Sequence, residues 1–270
     1  MPIKLAVLIS DTHAGSTVGL APPELETHEG QRIKFNAVQA WFYQCWIDAT
    51  TKWLPSIVGR DPWALILAGD LIEGDHHRTK QIHSNNVDDH VAAATLLLDP
   101  LAKQAAHTLV VRGTECHTHN SEEHIGRALK SMKFADTGRH STDKLYMEIH
   151  ECPIVVNHHI SATSRIWLEA SAFSIFLIAE QAEQMRAGRM PPRVLVSGHR
   201  HRFGCFENGH GMTIVCPPWQ ASTRHTAKAV PMALPMPGIV VLDWRNRAKG
   251  ELPQVHSRTY RPPPANVVKL

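Results

Sequence analysis

Short apolar runs that stop abruptly at carboxylates and imidazoles punctuate this chain. Ala64–Ala68 (ALILA) is continuously apolar, follows Trp63 and ends in Gly69-Asp70. Its length and lack of alternation predict a strand buried on both faces. Residues 3–9 read the same way and run into Ser10-Asp11-Thr12-His13. Residues 194–196 run into Ser197-Gly198-His199-Arg200-His201. The β-branched run at 108–111 leads into Arg112-Gly113-Thr114-Glu115-Cys116-His117. Residues 145–149 and 154–156 predict paired strands, the second ending in Asn157-His158-His159. Groups just past the carboxyl ends of such strands lie in the crevice where open α/β sheets bind ligands.

Helical spacing fills the intervals. Over residues 31–54, Val38, Trp41, Phe42, Cys45, Trp46, Ala49 and Trp53 recur at three and four, one amphipathic face expected to pack in a core. Pro55 and Gly59 close that helix. Further helices are expected over 87–106, with a break at Asp99-Pro100, from Ser121 onward, and over 165–187. Residues 203–206 and 212–215, split by Asn208-Gly209, predict a hairpin, and 239–242 a last strand. Residues 14–30, 73–86 and 217–237 read as loops that could wall a groove. With no internal repeat and no clear linker, the pattern predicts one α/β domain over residues 1–260 with two sheets in layers, and an extended tail over 261–270.

Composition narrows the class. A chain of 270 residues, 43% hydrophobic, can bury a sizeable core. Its formal charge of +3 permits nucleic-acid binding without arguing for it. Five cysteines with no Cys-x-x-Cys predict reduced thiols in a cytoplasmic setting. The first apolar run reads as a strand and not as a signal peptide. The longest apolar stretch, within 167–179, contains Glu169 and is too short to span a bilayer, so no membrane partner is expected.

The 19 histidines change the picture most. At strand ends stand Asp11, His13, Asp70, His158, His199 and His201, joined by Glu115 and His117. Mixed carboxylate and imidazole suits Mn, Fe, Zn, Ni or Co better than Ca or Mg. In Asp11-x-His13 and His199-x-His201 both side chains would lie on one side of an extended backbone. These candidates are too many for one ion and about right for two. A one-residue register change would exchange His158 with His159.

Taken in order over residues 3–216, Ser10-Asp11-Thr12-His13, Ala68-Gly69-Asp70, Gly113 to His117, Asn157-His158 and Gly198-His199-Arg200-His201 resemble the motifs of the calcineurin-like metallophosphoesterases. The resemblance implies a layered α/β sandwich of two mixed β-sheets flanked by helices. It also implies two divalent metal ions, Mn favoured, with in-line attack on phosphorus by a metal-bridging hydroxide. Asp11, His13 and His201 would hold the first ion, Asp70 would bridge, and His158 and His199 would hold the second. The Gly113 motif departs from the family's Gly-Asn-His followed by an acid, in which Asn is a ligand and His the general acid. Either Glu115 replaces the Asn, with His117 as acid after an insertion, or Thr114 stands in the Asn position. The first is preferred, because a carboxylate is the better ligand and a proton donor is restored. Arg112, His76 and His77 are candidates for substrate binding. Phosphodiesters, DNA and RNA among them, are the expected substrates. Phosphomonoesters or phosphoproteins come second, and a scaffold without activity and a mononuclear metal-dependent hydrolase of a non-phosphate substrate are the remaining classes.

Overall fold

Strand register, more than any single contact, decides which residues of this protein meet. The computed structural model describes residues 1–75, 81–118, 120–160, 168–223 and 234–263. One sheet contains β1 (Leu5–Ile9), β4 (Ala64–Ala68), β5 (His107–Val111), β11 (Gly238–Asp243) and β12 (Gln254–Thr259) in the order β12-β11-β1-β4-β5. β1, β4 and β5 run parallel, while β11 and β12 are antiparallel additions. The second sheet contains β6 (Lys144–Ile149), β7 (Cys152–Asn157), β8 (Val194–Ser197), β9 (Gly204–Asn208) and β10 (Gly211–Val215) in the order β6-β7-β8-β10-β9. β7, β8 and β10 are parallel, with β6 and β9 antiparallel at the edges. This is the expected α/β arrangement of two mixed sheets flanked by helices.

Ile9 is level with Leu67, and Ala68 with Val111, so the polar segments after β1, β4 and β5 leave one edge together. In the second sheet Val156 is level with Val196, and the chain leaves toward His158 and His199 at that same level. The inner strands are apolar throughout because both their faces are covered. Leu5, Val7, Leu65, Leu67 and Val110 pack under α1 (Ala37–Ile47), α3 (Val87–Ala102) and α5 (Ser121–Ala128). Ala6, Leu8, Ile66, Ala68 and Val111 pack between the sheets against Ile154, Val156, Val196 and Ile214. Val155, Leu195 and Val215 pack under Phe173 and Leu177 of α6 (Glu169–Arg186). The layers are therefore helix, sheet, sheet, helix.

Several elements differ from the pattern. The helix expected from residue 31 begins at Ala37, where Asn36 and Gln39 form a reciprocal cap. Before it, β2 (Leu25–Glu26) and β3 (Arg32–Ile33) pair as a short ladder. After it comes one π-helical stretch, Asp48–Trp53, where Thr50 and Thr51 donate to the carbonyls of Trp46 and Ile47. Pro55 then sits in the first turn of α2 (Leu54–Val58) and does not end a helix. Pro100 is likewise tolerated inside α3, which ends at Ala102. Residues 239–242 are not the last strand, since β12 follows. Its sequence, QVHSRT, is polar because it lies at a sheet edge, and polar edge strands leave little trace in an apolar pattern. The loop expected after His13 is present and is buried at its start, where Ala14, Ser16, Leu20 and Ala21 lie inside. Residues 165–167 and 264–270 of the expected helix and tail lie outside the described residues.

Ile66 is fully buried between the sheets. Ile66→Ala should lower unfolding free energy by about 2–5 kcal/mol in urea titration.

Candidate metal centre

The level strand ends deliver six ligand-type side chains into one place, and the backbone there is unusual. Among the described residues, eight non-glycine positions have positive φ. Five of them are Asp11 (53°), His13 (43°), Asp70 (50°), His199 (67°) and His201 (49°). Each left-handed residue costs about 1–2 kcal/mol, less for Asp, and such residues persist where surrounding structure enforces them. The Asp-x-His and His-x-His pairs thus converge through left-handed turns. The extended backbone expected from the spacing is corrected: the chain has already left the strand and must turn sharply inward.

Among the described residues three groups have ligand atoms within 4.8 Å of one another: Asp11, His13 and His201; Asp70, His158 and His199; and His13, Glu73 and His117, which shares His13 with the first. His13 Nε2 lies 3.1 Å from His201 Nε2, and His201 Nε2 lies 3.3 Å from Asp11 Oδ1. In the second group His158 Nε2 lies 2.9 Å from Asp70 Oδ2. The first two groups meet at Asp70, whose Oδ2 is 3.9 Å from His13 Nε2.

The outer hydrogen bonds decide what these nitrogens can do. His158 Nδ1 is 2.7 Å from the Ala68 carbonyl, so it carries the proton and donates. Nε2 is therefore the atom that faces Asp70, carrying a second proton in the metal-free site and offering a lone pair only to an ion that displaces it. His13 Nδ1 lies 2.8 Å from Glu73 Oε2 as an ion-pair contact, and its Nε2 faces Asp11 and His201. His158 Nε2 and His201 Nδ1 are buried without a hydrogen-bond partner. Lone pairs of imidazole and carboxylate converging in a buried space repel each other unless a cation lies between them. A divalent ion of the Mn, Fe, Co, Ni or Zn type fits that donor set, and the carboxylate–imidazole support is the usual outer layer of such sites.

Three glycines make the approach possible. A Cβ on Gly113 would collide with the Asp70 carboxylate and backbone, and one on Gly198 with Ser10 Oγ and Asp11 Oδ2. A Cβ on Gly69, where φ is +89°, would meet the His158 ring. Further positioning comes from backbone donors. The His199 N–H donates to both Asp11 oxygens (3.0 and 3.2 Å), and the Thr114 N–H to Asp70 Oδ1 (2.6 Å).

Charge is balanced tightly. Burial pushes the Asp11 carboxyl up, but the hydrogen bond from His201 and the positive His158 and His201 overcome it and hold it at about 2. Burial opposes a charge on His158, yet the Asp70 carboxylate raises it to about 10. His199 is pushed down to about 4 by burial and by the positive His158. The metal-free site therefore keeps a proton at His158, where an ion would otherwise neutralise Asp70.

The Gly113 segment corrects the preferred ligand. Thr114 Oγ1 donates to Asp70 Oδ2 (3.1 Å) and lies 3.3 Å from His199 Nδ1, so Thr114 occupies the position expected for Glu115. Glu115 is exposed and belongs to none of the three groups. The chain enters α4 (Glu115–Thr118) directly after Thr114, closed by His117 N–H to Thr114 O, and this turn swings Glu115 outward. It also carries His117 back over the site, with its ring centroid 5.0 Å from that of His13 and Nδ1 2.8 Å from the Glu73 carbonyl. His158 is in the second group, while His159 is exposed and packs tilted against His199, with ring centroids 4.6 Å apart. Arg112, expected beside a phosphate, is committed to Ser141 Oγ (3.0 Å) and Asp143 (3.3 Å). His76 and His77 lie outside the described residues.

Three supporting residues escaped the sequence reading. Glu73 holds His13 and is itself held by Gln220 Nε2. Buried Glu122 accepts N–H groups from Gly113 (2.6 Å) and Leu71 (3.3 Å), fastening the two segments that flank Asp70. Burial, with the nearby Asp70 charge, pushes its carboxyl up to about 7. Glu73 had one visible signal, an acid three residues after Asp70 in the same turn. Gln220, 147 positions from its partner, had none.

No protein-family model matches the chain, and no curated protein does. Among solved structures it is similar to Vps29 of Chaetomium thermophilum, with 14% identity, 97% of this chain and 100% of the other covered, and a TM-score of 0.47. An archaeal phosphodiesterase is similar at 10% identity, with 94% and 99% covered and a TM-score of 0.45. Wild-type Vps29 of Entamoeba histolytica in complex with zinc is similar at 11% identity, with 94% and 98% covered and a TM-score of 0.43. Likenesses this distant do not assign an activity.

Two measurements check the site. Glu115→Ala should leave ion affinity unchanged, whereas Gly113→Ala should weaken it at least about tenfold by displacing Asp70. Because His158 is protonated at neutral pH without an ion and must lose that proton to ligate, ion uptake should release protons. Calorimetry in buffers of different ionisation enthalpy should show this release, with affinity rising about tenfold per pH unit for each proton displaced.

Proposed function

We propose that the protein is a metal-dependent phosphoesterase acting on phosphodiesters, nucleic acids or nucleotides among them. The observation that carries this reading is the meeting at one carboxylate, Asp70, of two ligand groups that each have two buried members. Two divalent ions there, Mn favoured, would supply a nucleophilic water near neutral pH and neutralise phosphate oxygens. Asp70 would serve both ions, with Asp11, His13 and His201 on one side and His158, His199 and the Thr114 hydroxyl on the other.

The chain's own residues do the rest. His117 donates through Nδ1 to the Glu73 carbonyl, so the proton it can pass to a leaving alkoxide is the one on Nε2. Glu73 keeps the His13 tautomer fixed through the exchange. The arginines of the motif segments support a diester over a monoester. Arg112 pairs with Asp143, and Arg200 and Arg202 pair with Glu169. A dianionic monoester is ordinarily met by a guanidinium fork; a monoanionic diester needs less positive charge.

Thr114 supports a second reading. A neutral hydroxyl is a weaker ligand than an amide oxygen or carboxylate, and a weakened second site would leave a metal-binding scaffold without turnover.

A panel of bis-aryl phosphate, aryl monophosphate, single- and double-stranded DNA, RNA and cyclic nucleotides, each with Mn, Ni, Zn and Mg, separates these readings. Diester hydrolysis exceeding monoester hydrolysis is expected. Ion uptake with no hydrolysis of any member would establish the scaffold instead. Asp70→Asn should reduce turnover at least about tenfold, and retained activity would remove it from the bridging role. His117→Ala should slow alkyl diesters by about a hundredfold and nitrophenyl esters far less, since nitrophenolate leaves unprotonated. Equal losses on both would make His117 a ligand or a structural residue.

A further inference from the structure

Residues 199–202 read His-Arg-His-Arg, an alternation that the proposed chemistry uses only in part. His199 goes to one ligand group and His201 to the other. The two arginines reach a single carboxylate on another element, Glu169, the first residue of α6. Arg200 Nη2 lies 3.3 Å from Glu169 Oε1, and Arg202 Nη1 lies 2.9 Å from Oε2. Each oxygen thus takes a different guanidinium. The clamp is largely shielded, with side-chain exposures of 11% for Glu169, 8% for Arg200 and 22% for Arg202. It is also placed where restraint is needed. β8 ends at Ser197 and β9 begins at Gly204, so His199 and His201 hold their left-handed turns between strands, outside the ladders.

We infer that Glu169 is a positioning residue for both ions, holding Arg200 and Arg202 outward so that His199 and His201 stay aimed inward. Removing the carboxylate leaves two neighbouring guanidiniums in a shielded place without their common acceptor, and their repulsion acts on the residues that bracket His201. The turn then relaxes toward ordinary φ, and each ion loses one imidazole. Loss of such outer support typically lowers ion affinity about 10–100-fold. The inference rests on the metal-centre part of the proposed function and is independent of turnover.

The alternative is that Glu169 merely fastens α6 to the sheet. Tyr146 offers a matched control, because its hydroxyl donates to Glu180 on the same helix, far along the chain from the histidines. Metal-free wild type, Glu169→Ala, Glu169→Gln, Arg202→Met and Tyr146→Phe would be titrated with Mn and Zn by calorimetry. Thermal unfolding would be measured with and without ion, and the visible spectrum of the Co-loaded protein recorded. Glu169→Ala should lose about 10–100-fold in affinity and show an altered Co spectrum. Its ion-induced rise in Tm should shrink by more than its metal-free Tm falls. Glu169→Gln and Arg202→Met should lie between it and wild type. Tyr146→Phe should lower the metal-free Tm and leave affinity unchanged.

Wild-type affinity in Glu169→Ala would overturn the inference. So would an equal affinity loss in Tyr146→Phe, because anything loosening α6 would then suffice. If Glu169→Ala does not fold, Glu169→Gln and Arg202→Met decide by the same readouts. A wild type that takes up neither ion would overturn the metal-centre reading itself, a result distinct from a variant that binds like wild type.

Discussion

Asp11 and Asp70 stand in a buried space facing the imidazoles of His201 and His158. Each carboxylate needs positive charge close by, and the fold offers none from lysine or arginine among the residues of the two groups. Much of the surrounding structure follows from that electrostatic demand. The Ala68 carbonyl and Glu73 orient His158 and His13 so that Nε2 of each faces inward. Gly69, Gly113 and Gly198 clear the space that this convergence requires. The left-handed turns at the ligands are tolerated because the hydrogen bonds and packing around them leave no easier arrangement.

Sheet register supplies the precision. Parallel strands that end level bring Asp11, Asp70 and Thr114 to one edge, and the second sheet brings His158, His199 and His201 to meet them. Inward aim of each side chain is then a local matter, settled within two or three residues of a strand end. Gross placement therefore depends on packing of Ile66, Val111, Val156 and Val196 between the sheets, and fine placement on a handful of hydrogen bonds. The two levels fail differently: a core truncation costs stability, whereas a displaced carboxylate costs ion affinity.

The buried strands and the six ligand-type residues after them were legible in the sequence because both signals are local: a continuous apolar run, then Asp or His within a few positions. β12 was not legible, since an edge strand exposed to solvent carries no apolar signature. Nor was the choice between Thr114 and Glu115. Ligand strength favoured the carboxylate, but the helix beginning at Glu115 decided the geometry, and four residues are too short a run for periodicity to show. The spacing of Asp11-x-His13 pointed to the right pair for the wrong reason, since left-handed backbone and not extended strand brings the two together. Glu73, Glu122 and Gln220 act across the fold on groups distant in sequence, which no linear pattern records.

The wide separation of the two candidate ligand pairs has a consequence for how any ion would reach the site. Asp11 and its donor His199 are 188 positions apart, yet Asp11-x-His13 and His199-x-His201 are each short chelating pairs that exist in the unfolded chain. Free ions present during synthesis or refolding can seize either pair singly, before the sheets have docked. That affinity for the unfolded chain subtracts from the stabilisation that the finished site confers. It also opens a route to kinetic traps in which one ion joins half-sites from two different chains. A centre filled after the sheets have docked would avoid both losses.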